Sequence, residues 1–176
     1  TGGTIRGSID VALPIFLSEV HKASTSTIGQ VFGSATVAFA IGSFVSGRIH
    51  TLGRKTMSVI AAAVGLLASS IMLPNELWAT AMCFAALCGF SGFLGVRITE
   101  DLQKYSNRMK QTEKAMGINA LNWTAAFAFG GMLANAAGPE QHRNVMVALG
   151  IINVVYAIFF NSAMKKLNGG RALSTG

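Results

Sequence analysis

Arg6 and Asp10 form an oppositely charged pair within the first apolar stretch of the sequence. On an α-helix, a spacing of four residues puts both side chains on one face, one turn apart, where they can form an ion pair. If the stretch crosses a membrane, each charge costs about 2.5 to 3.5 kcal/mol, so charges kept there usually serve a function. The pair is therefore a candidate substrate or proton site facing a water-filled cavity, with Asp10 as the candidate for proton coupling.

The same pair also has a purely structural interpretation. Arg6 lies near the start of the sequence, and a long cationic side chain can reach from a helix end to the cytoplasmic membrane surface. Asp10 would then only neutralise that arginine. The sequence alone leaves both interpretations open.

A second group of polar residues lies further along the sequence, at Asn119, Asn122 and Trp123. Spacings of three and four residues place them on one helical face, where amides and an indole ring can line a binding cavity. Asparagines also join membrane helices to one another, so a packing role stays open for these two. Gln30 and Ser34 are weaker candidates, because a serine can bond a carbonyl of its own helix.

The sequence motifs do not indicate enzyme chemistry. The sequence contains no paired-histidine metal spacing, no Gly-x-Ser-x-Gly nucleophile turn and no phosphate-binding glycine loop followed by lysine. Cys83 and Cys88 are five residues apart, hence on different helical faces, and are predicted to be small buried side chains. The sequence therefore predicts neither an enzyme nor a protein with a metal or cofactor.

Composition indicates a membrane protein. Of the 176 residues, 51% are hydrophobic and 12% are charged, against roughly 25% charged in a typical soluble domain. The net charge of +7 does not indicate nucleic-acid binding, because the basic residues lie between apolar runs rather than on one soluble face. The expected surroundings of the chain are a lipid bilayer, and no nucleic-acid partner is predicted.

The apolar runs predict a single all-α bundle over residues 1–176. Each run is long enough to cross a bilayer as a helix, at about 1.5 Å per residue. The one long aqueous stretch, the predicted cytoplasmic loop 98–114, has the pattern of either an amphipathic surface helix or a solvated linker. The six predicted transmembrane helices are residues 1–21, 24–47, 56–73, 77–97, 115–137 and 144–164.

Basic residues predict how this bundle is oriented. With the turn after the second span in the cytoplasm, 12 of the 14 lysines and arginines lie on or near that side. Only Lys22 and Arg143 fall on the outer side. Both termini are therefore expected in the cytoplasm, in an integral multi-pass protein of the plasma or inner membrane.

The turn between the second and third spans is short, basic and bounded by glycines. Gly47 and Gly53 would permit a tight turn and close helix approach, and the cations would hold the turn in the cytoplasm. We interpret it as a gating loop made of Gly47, Arg48, Gly53, Arg54 and Lys55.

Three short motifs carry a resemblance to a known family. Gly53, Arg54 and Lys55 match the second half of the loop signature of the major facilitator superfamily. The run from Asp10 to Pro14 is similar to the end of the first helix in some facilitator transporters, and residues 113–117 are similar to the entry to a fifth helix. The sequence thus resembles one six-helix half of a facilitator. The incomplete loop signature and the short tail after Lys166 favour the C-terminal half over the N-terminal one.

This resemblance implies a fold and a function. The fold would be two inverted repeats of three helices, with the first, second, fourth and fifth helices lining a cavity. The function would be secondary active transport of a small solute by alternating access. It would need a second six-helix half in cis or a homodimer partner. The alternative is a non-transporting membrane scaffold or assembly subunit built on the same helices.

Overall fold

The computed structural model describes residues 2–49, 53–108 and 110–172. Within these residues the chain forms six α-helices joined by short turns, without any strand, which confirms an all-α membrane protein. A short 3-10 helix, Pro139–Gln141, precedes the last of them. The helices are α1 (Gly2–Glu19), α2 (Thr25–Arg48), α3 (Arg54–Ser70), α4 (Leu77–Arg108), α5 (Thr112–Ala137) and α6 (His142–Ala172).

Local sequence signals explain several helix ends. Ser24 precedes α2, and its hydroxyl accepts a hydrogen bond from the backbone N–H of Thr27 at 3.2 Å. This bond satisfies one of the N–H groups that the first turn leaves unpaired. The helix α5 ends at Gly138, whose φ of 73° is left-handed and costs glycine little. Pro139 follows and has no N–H with which to continue the helix.

Among the described residues, three helical segments are long and apolar enough to cross a membrane, judged by length and composition alone: α2, α4 and the segment Pro139–Phe159. The helix α3 is apolar but shorter. The helix α1 carries three charged side chains, and three asparagines lower the hydropathy of α5. The less apolar helices α1 and α5 thus hold most of the polar candidates of the predicted site, while Gln30 and Ser34 lie on the apolar helix α2.

The helices pack mainly in three pairs, α1 with α5, α2 with α4, and α3 with α6. Glycine contacts show that α1 and α5 run in the same direction, since Gly3 lies beside Trp123 and Gly7 beside Gly131. The helices α2 and α4 are also parallel, whereas α3 and α6 are antiparallel. These directions are the ones that six successive crossings of one membrane require.

The three pairs obey the symmetry of two inverted repeats. Exchanging α1, α2 and α3 for α4, α5 and α6 converts the first pair into the second and leaves the third unchanged. The predicted arrangement of two inverted three-helix repeats is therefore confirmed by the packing.

Each pair meets at glycines. A Cβ atom added at Gly7 would clash with the carbonyl of Phe127, and one added at Gly42 would clash with Gly89. At the third crossing, a Cβ on Gly65 would lie 2.7 Å from the carbonyl oxygen of Gly150. Close backbone approach is thus the common packing device, as expected where dispersion forces rather than water drive helix association.

Each pair is also joined by a hydrogen bond from a polar side chain to a backbone carbonyl. Ser8 donates to Gly130 between α1 and α5, and Ser46 donates to Phe93 between α2 and α4, both at 2.8 Å. Asn153 of α6 donates to Ala61 of α3, also at 2.8 Å. In a bilayer such groups have no water to bond, so these contacts remove a cost as well as adding specificity.

The helix α1 supplies much of the buried core. Its inward face repeats every four residues, which is the spacing of one helical face. From α4, Phe84 and Leu87 pack into the same core. The buried residues of that α1 face are Ile5, Ile9, Leu13 and Leu17.

The predicted cytoplasmic stretch 98–114 is helical over most of its described residues. The helix α4 continues to Arg108, and α5 begins at Thr112. Hydropathy marks where the apolar segment ends, whereas helical hydrogen bonding continues into the polar residues beyond. The long polar extension of α4 fits the amphipathic-helix interpretation of this stretch better than the linker one.

Candidate functional site

Arg6 and Asp10 are in contact on α1. The guanidinium Nε lies 3.1 Å from Asp10 Oδ1 and donates a hydrogen bond to Oδ2 at 3.3 Å. The two side chains are 34% and 32% exposed. The pair is thus half-buried, with one part packed against the bundle and another part open.

The packed part of Arg6 faces α4. Its Nη1 donates a hydrogen bond to the Cys88 sulfur at 3.1 Å, and its Cζ lies 5.6 Å from the centre of the Phe84 ring. Both α4 side chains are fully buried, and Phe84 also meets Phe32 of α2 edge to face. A thiol and an aromatic ring therefore hold the guanidinium without neutralising its charge.

Cys88 also fixes the depth of the arginine. It lies nine residues before Arg97, which closes the apolar part of α4. That separation is about 13 Å along the helix axis. Since Arg6 bonds Cys88, its guanidinium lies well inside the apolar zone. The contact therefore argues against the interpretation in which Arg6 reaches to the membrane surface.

Asp10 depends on Arg6 for its stabilisation. Its Oδ1 atom is buried and accepts no hydrogen bond from any described residue. Among the described residues, its single ion-pair partner is Arg6. A proton added to this carboxyl group would therefore weaken one interaction and disturb no larger network.

The α5 candidates are not brought to this pair. Asn119 is half-buried, whereas Asn122 and Trp123 are exposed, and neither asparagine hydrogen-bonds a described residue. The Trp123 ring packs at the start of α1, beside Gly2. Because α1 and α5 are parallel, Asn119 lies one turn before that contact, away from Arg6.

The α2 candidates are also apart from the pair. Gln30 and Ser34 are exposed, and the Ser34 hydroxyl donates to the carbonyl of Val31 in its own helix at 2.8 Å. This is the local bonding that serines commonly adopt in helices. The link from α2 to the pair runs instead through Phe32 and Phe84.

The basic turn is described only in part. Residues 50–52 and the side chain of Arg54 lie outside the described residues, Lys55 is exposed, and Arg48 lies over the Phe44 ring at 4.9 Å. A Cβ added at Gly47 or Gly53 would meet no atom of a described residue within 4 Å, and Gly53 has an ordinary φ of −65°. Within the described residues, the predicted close helix approach at these two glycines is therefore wrong. The predicted tight turn includes residues 50–52, which lie outside the described residues, and it stays a prediction.

Arg97 was not among the predicted site residues, yet it joins α2 to α4 beside this turn. It is 5% exposed, and its Nη1 donates to the carbonyl of Ile49 at 3.1 Å and to Glu100 at 2.9 Å. Ile49 caps the C-terminus of α2, where carbonyls lack helical partners. A cation bonded there also meets the negative end of the helix dipole.

A cavity of about 360 Å³ opens near the other end of α1. Ionisable side chains from α1, the 3-10 helix and α6 line it, and Arg6 and Asp10 are not among them. His142 is buried there, with its Nε2 3.0 Å from the carbonyl oxygen of Ala134. The ionisable residues lining the cavity are Glu19, Glu140, His142 and Arg143.

Comparisons with known proteins agree with this architecture. The family model described as Major Facilitator Superfamily matches residues 2–170. Comparison with curated proteins and with solved structures gave no significant match. The matched region extends from α1 into α6, so it includes the polar pair, its α4 contacts and the basic turn.

Proposed function

Because this chain belongs to the Major Facilitator Superfamily, a family of membrane transporters, we propose that it moves a small solute by secondary active transport with alternating access. Its polar centre is the pair Arg6 and Asp10. The observation that carries the proposal is the contact between Arg6 and Cys88, which holds a charged pair at membrane depth while about a third of each charged side chain stays open.

Charge at this depth supports a transport role. A purely structural contact between α1 and α4 could be apolar, as most of the surrounding core is. Apolar residues would avoid the desolvation cost of two charges. An acid that can take up a proton, next to an arginine that can bind a solute, gives a reason to retain them. In this scheme Asp10 carries the coupling proton.

The open part of the pair also supports a two-part transporter. A second six-helix half, in cis or as a homodimer partner, would cover this face and enclose the solute between the halves. Asn119, Asn122, Trp123, Gln30 and Ser34 would line that cavity from α5 and α2. The chain would serve as the C-terminal half, in a plasma or inner membrane with both termini in the cytoplasm.

The basic turn would act at the cytoplasmic gate of this transporter. Arg97 already connects α4 to the end of α2 beside the turn, so relative movement of these helices would change that contact. The gating loop keeps its proposed members, although a Cβ added at either glycine would meet no described residue within 4 Å. Its cations, rather than glycine packing, would then perform the gating.

Solute uptake into sealed vesicles tests the proposal. The vesicles should come from cells expressing the complete gene that encodes this chain, and they should be assayed with a proton gradient and after its collapse. A transporter should accumulate at least one labelled solute only while the gradient persists. A non-transporting scaffold should move none of a panel of neutral, cationic and anionic solutes, while still co-purifying with a partner protein.

A further inference from the structure

Arg6 retains hydrogen-bond donors that the bundle does not use. Its Nε donates to Asp10 and its Nη1 to Cys88, whereas its Nη2 has no partner among the described residues. A third of the side chain is exposed, so these donors are accessible from outside the bundle. A guanidinium with free N–H groups binds a carboxylate with two parallel hydrogen bonds.

The charges around Arg6 define what can bind there. Its two contacts on α4, the Cys88 thiol and the Phe84 ring, are both uncharged. Among the described residues, Asp10 alone supplies a negative charge to it. If Asp10 takes up a proton, Arg6 stays tethered at membrane depth as an uncompensated cation. That state favours the entry of one anion.

We infer that the solute is a small organic monoanion whose carboxylate replaces Asp10 as the counter-ion of Arg6. The inference rests on the proposed transport function and names its substrate class. One proton binds the Asp10 carboxylate, Arg6 keeps its own proton, and the solute brings one negative charge. The loaded site therefore has the same net charge as the empty ion pair. One proton moves with one anion.

Other solute classes fit this site less well. A cation would be repelled by Arg6, and a dianion would leave one negative charge uncompensated inside the membrane. Among the described residues, the titratable groups that face Asp10 are Arg6 from α1 and Cys88 from α4. Among the described residues, no side chain of α2, α5 or α6 forms an ion pair with Asp10. Protonation and anion binding are thus linked through Arg6.

The test follows proton entry driven by an anion. Vesicles from cells expressing the complete gene should enclose a pH indicator and receive external pyruvate, lactate or gluconate without a pre-set gradient. The inference expects at least one of these anions to acidify the lumen. Arg6→Gln should slow this acidification about tenfold or more, because the carboxylate loses a charge-assisted hydrogen bond. Arg6→Lys should retain part of the rate by preserving the charge.

The controls separate this inference from the transport proposal. Lys104→Gln removes a remote exposed cation that lies 4.0 Å from Glu100, and it should acidify like the wild type. Gradient-driven uptake of a neutral or cationic solute, with no acidification by any of the three anions, would overturn the inference and keep the transport proposal. If no solute of any class moves, both fail.

Discussion

The guanidinium of Arg6 donates a hydrogen bond to the thiol of Cys88, 82 positions away in the sequence, at 3.1 Å. This contact joins the first helix of one repeat to the first helix of the other. It fixes the arginine laterally and in depth, and it does so with a group that carries no charge. The transport cycle we propose therefore begins with an arginine whose position is set by Cys88 of α4 and whose charge is balanced by Asp10 of its own helix.

Replacing Cys88 with alanine should weaken solute binding more than it slows turnover. The variant removes the acceptor of the Arg6 hydrogen bond and lets the guanidinium move from its position beside Phe84. We expect KM for uptake to rise roughly threefold to tenfold, in line with the loss of one modest hydrogen bond to a charged group.

Two further variants control this experiment. Cys83→Ala removes a half-buried thiol of the same helix that forms no hydrogen bond with a described residue, and it should leave KM unchanged. Cys88→Ser offers Arg6 an oxygen acceptor of similar size and should restore much of the affinity. Equal effects of the two alanine variants would contradict a positioning role for Cys88.

Asp10→Asn should abolish accumulation against a gradient and leave solute exchange measurable. Asparagine preserves the shape of the side chain and its hydrogen bonding to Arg6, but it cannot carry a proton. Uptake with and without an imposed proton gradient gives the first quantity, and exchange of labelled for unlabelled solute gives the second. If Asp10 only neutralises Arg6, the double variant Arg6→Gln with Asp10→Asn should recover accumulation that the single variant lost. Such a recovery would leave the pair as a structural ion pair.

The sequence was sufficient to predict the contact between Arg6 and Asp10 but not the partners of that pair. A spacing of four residues is local information, and the helix realises it directly. Cys88 and Phe84 lie in another repeat, and nothing in their own segment distinguishes them from other buried side chains. Their role depends on how α1 crosses α4, which periodicity within one helix does not specify.

The glycines of α2 and α4 show the same limit. The sequence contains several in each helix, at spacings that suit close packing. Only those at the actual crossing, including Gly42 and Gly89, lie against the backbone of the neighbouring helix. A Cβ added at Gly33 or Gly95 would meet no described atom within 4 Å. The close approach predicted at the glycines of the basic turn is absent among the described residues for the same reason. Composition identifies residues that permit close approach, and tertiary structure decides where it occurs.

Gly42→Ala should destabilise the bundle, and Gly33→Ala should not. Both positions lie within α2, so the two substitutions have the same effect on helix propensity. A Cβ on Gly42 would collide with the backbone of Gly89, which forces the helices apart and costs about 1 to 3 kcal/mol. Thermal unfolding of both variants in the same detergent should show a lower midpoint for Gly42→Ala alone. Matching midpoints would mean that α2 and α4 do not pack at these glycines.

Arg97→Gln should loosen the end of α2 without disturbing the rest of the bundle. Arg97 is buried and donates to the carbonyl of Ile49 and to Glu100, so its loss leaves a helix-terminal carbonyl and a half-buried carboxylate without this donor. Leaving such groups unsatisfied costs about 1 to 3 kcal/mol. Hydrogen exchange at residues 46–49 should become faster, while exchange in α6 stays unchanged.

Arg108→Gln is the matched control, because that arginine lies on the same helix in an exposed position. Faster exchange in both variants would assign the effect to general loss of positive charge, whereas faster exchange in Arg97→Gln alone would assign it to the bond with Ile49.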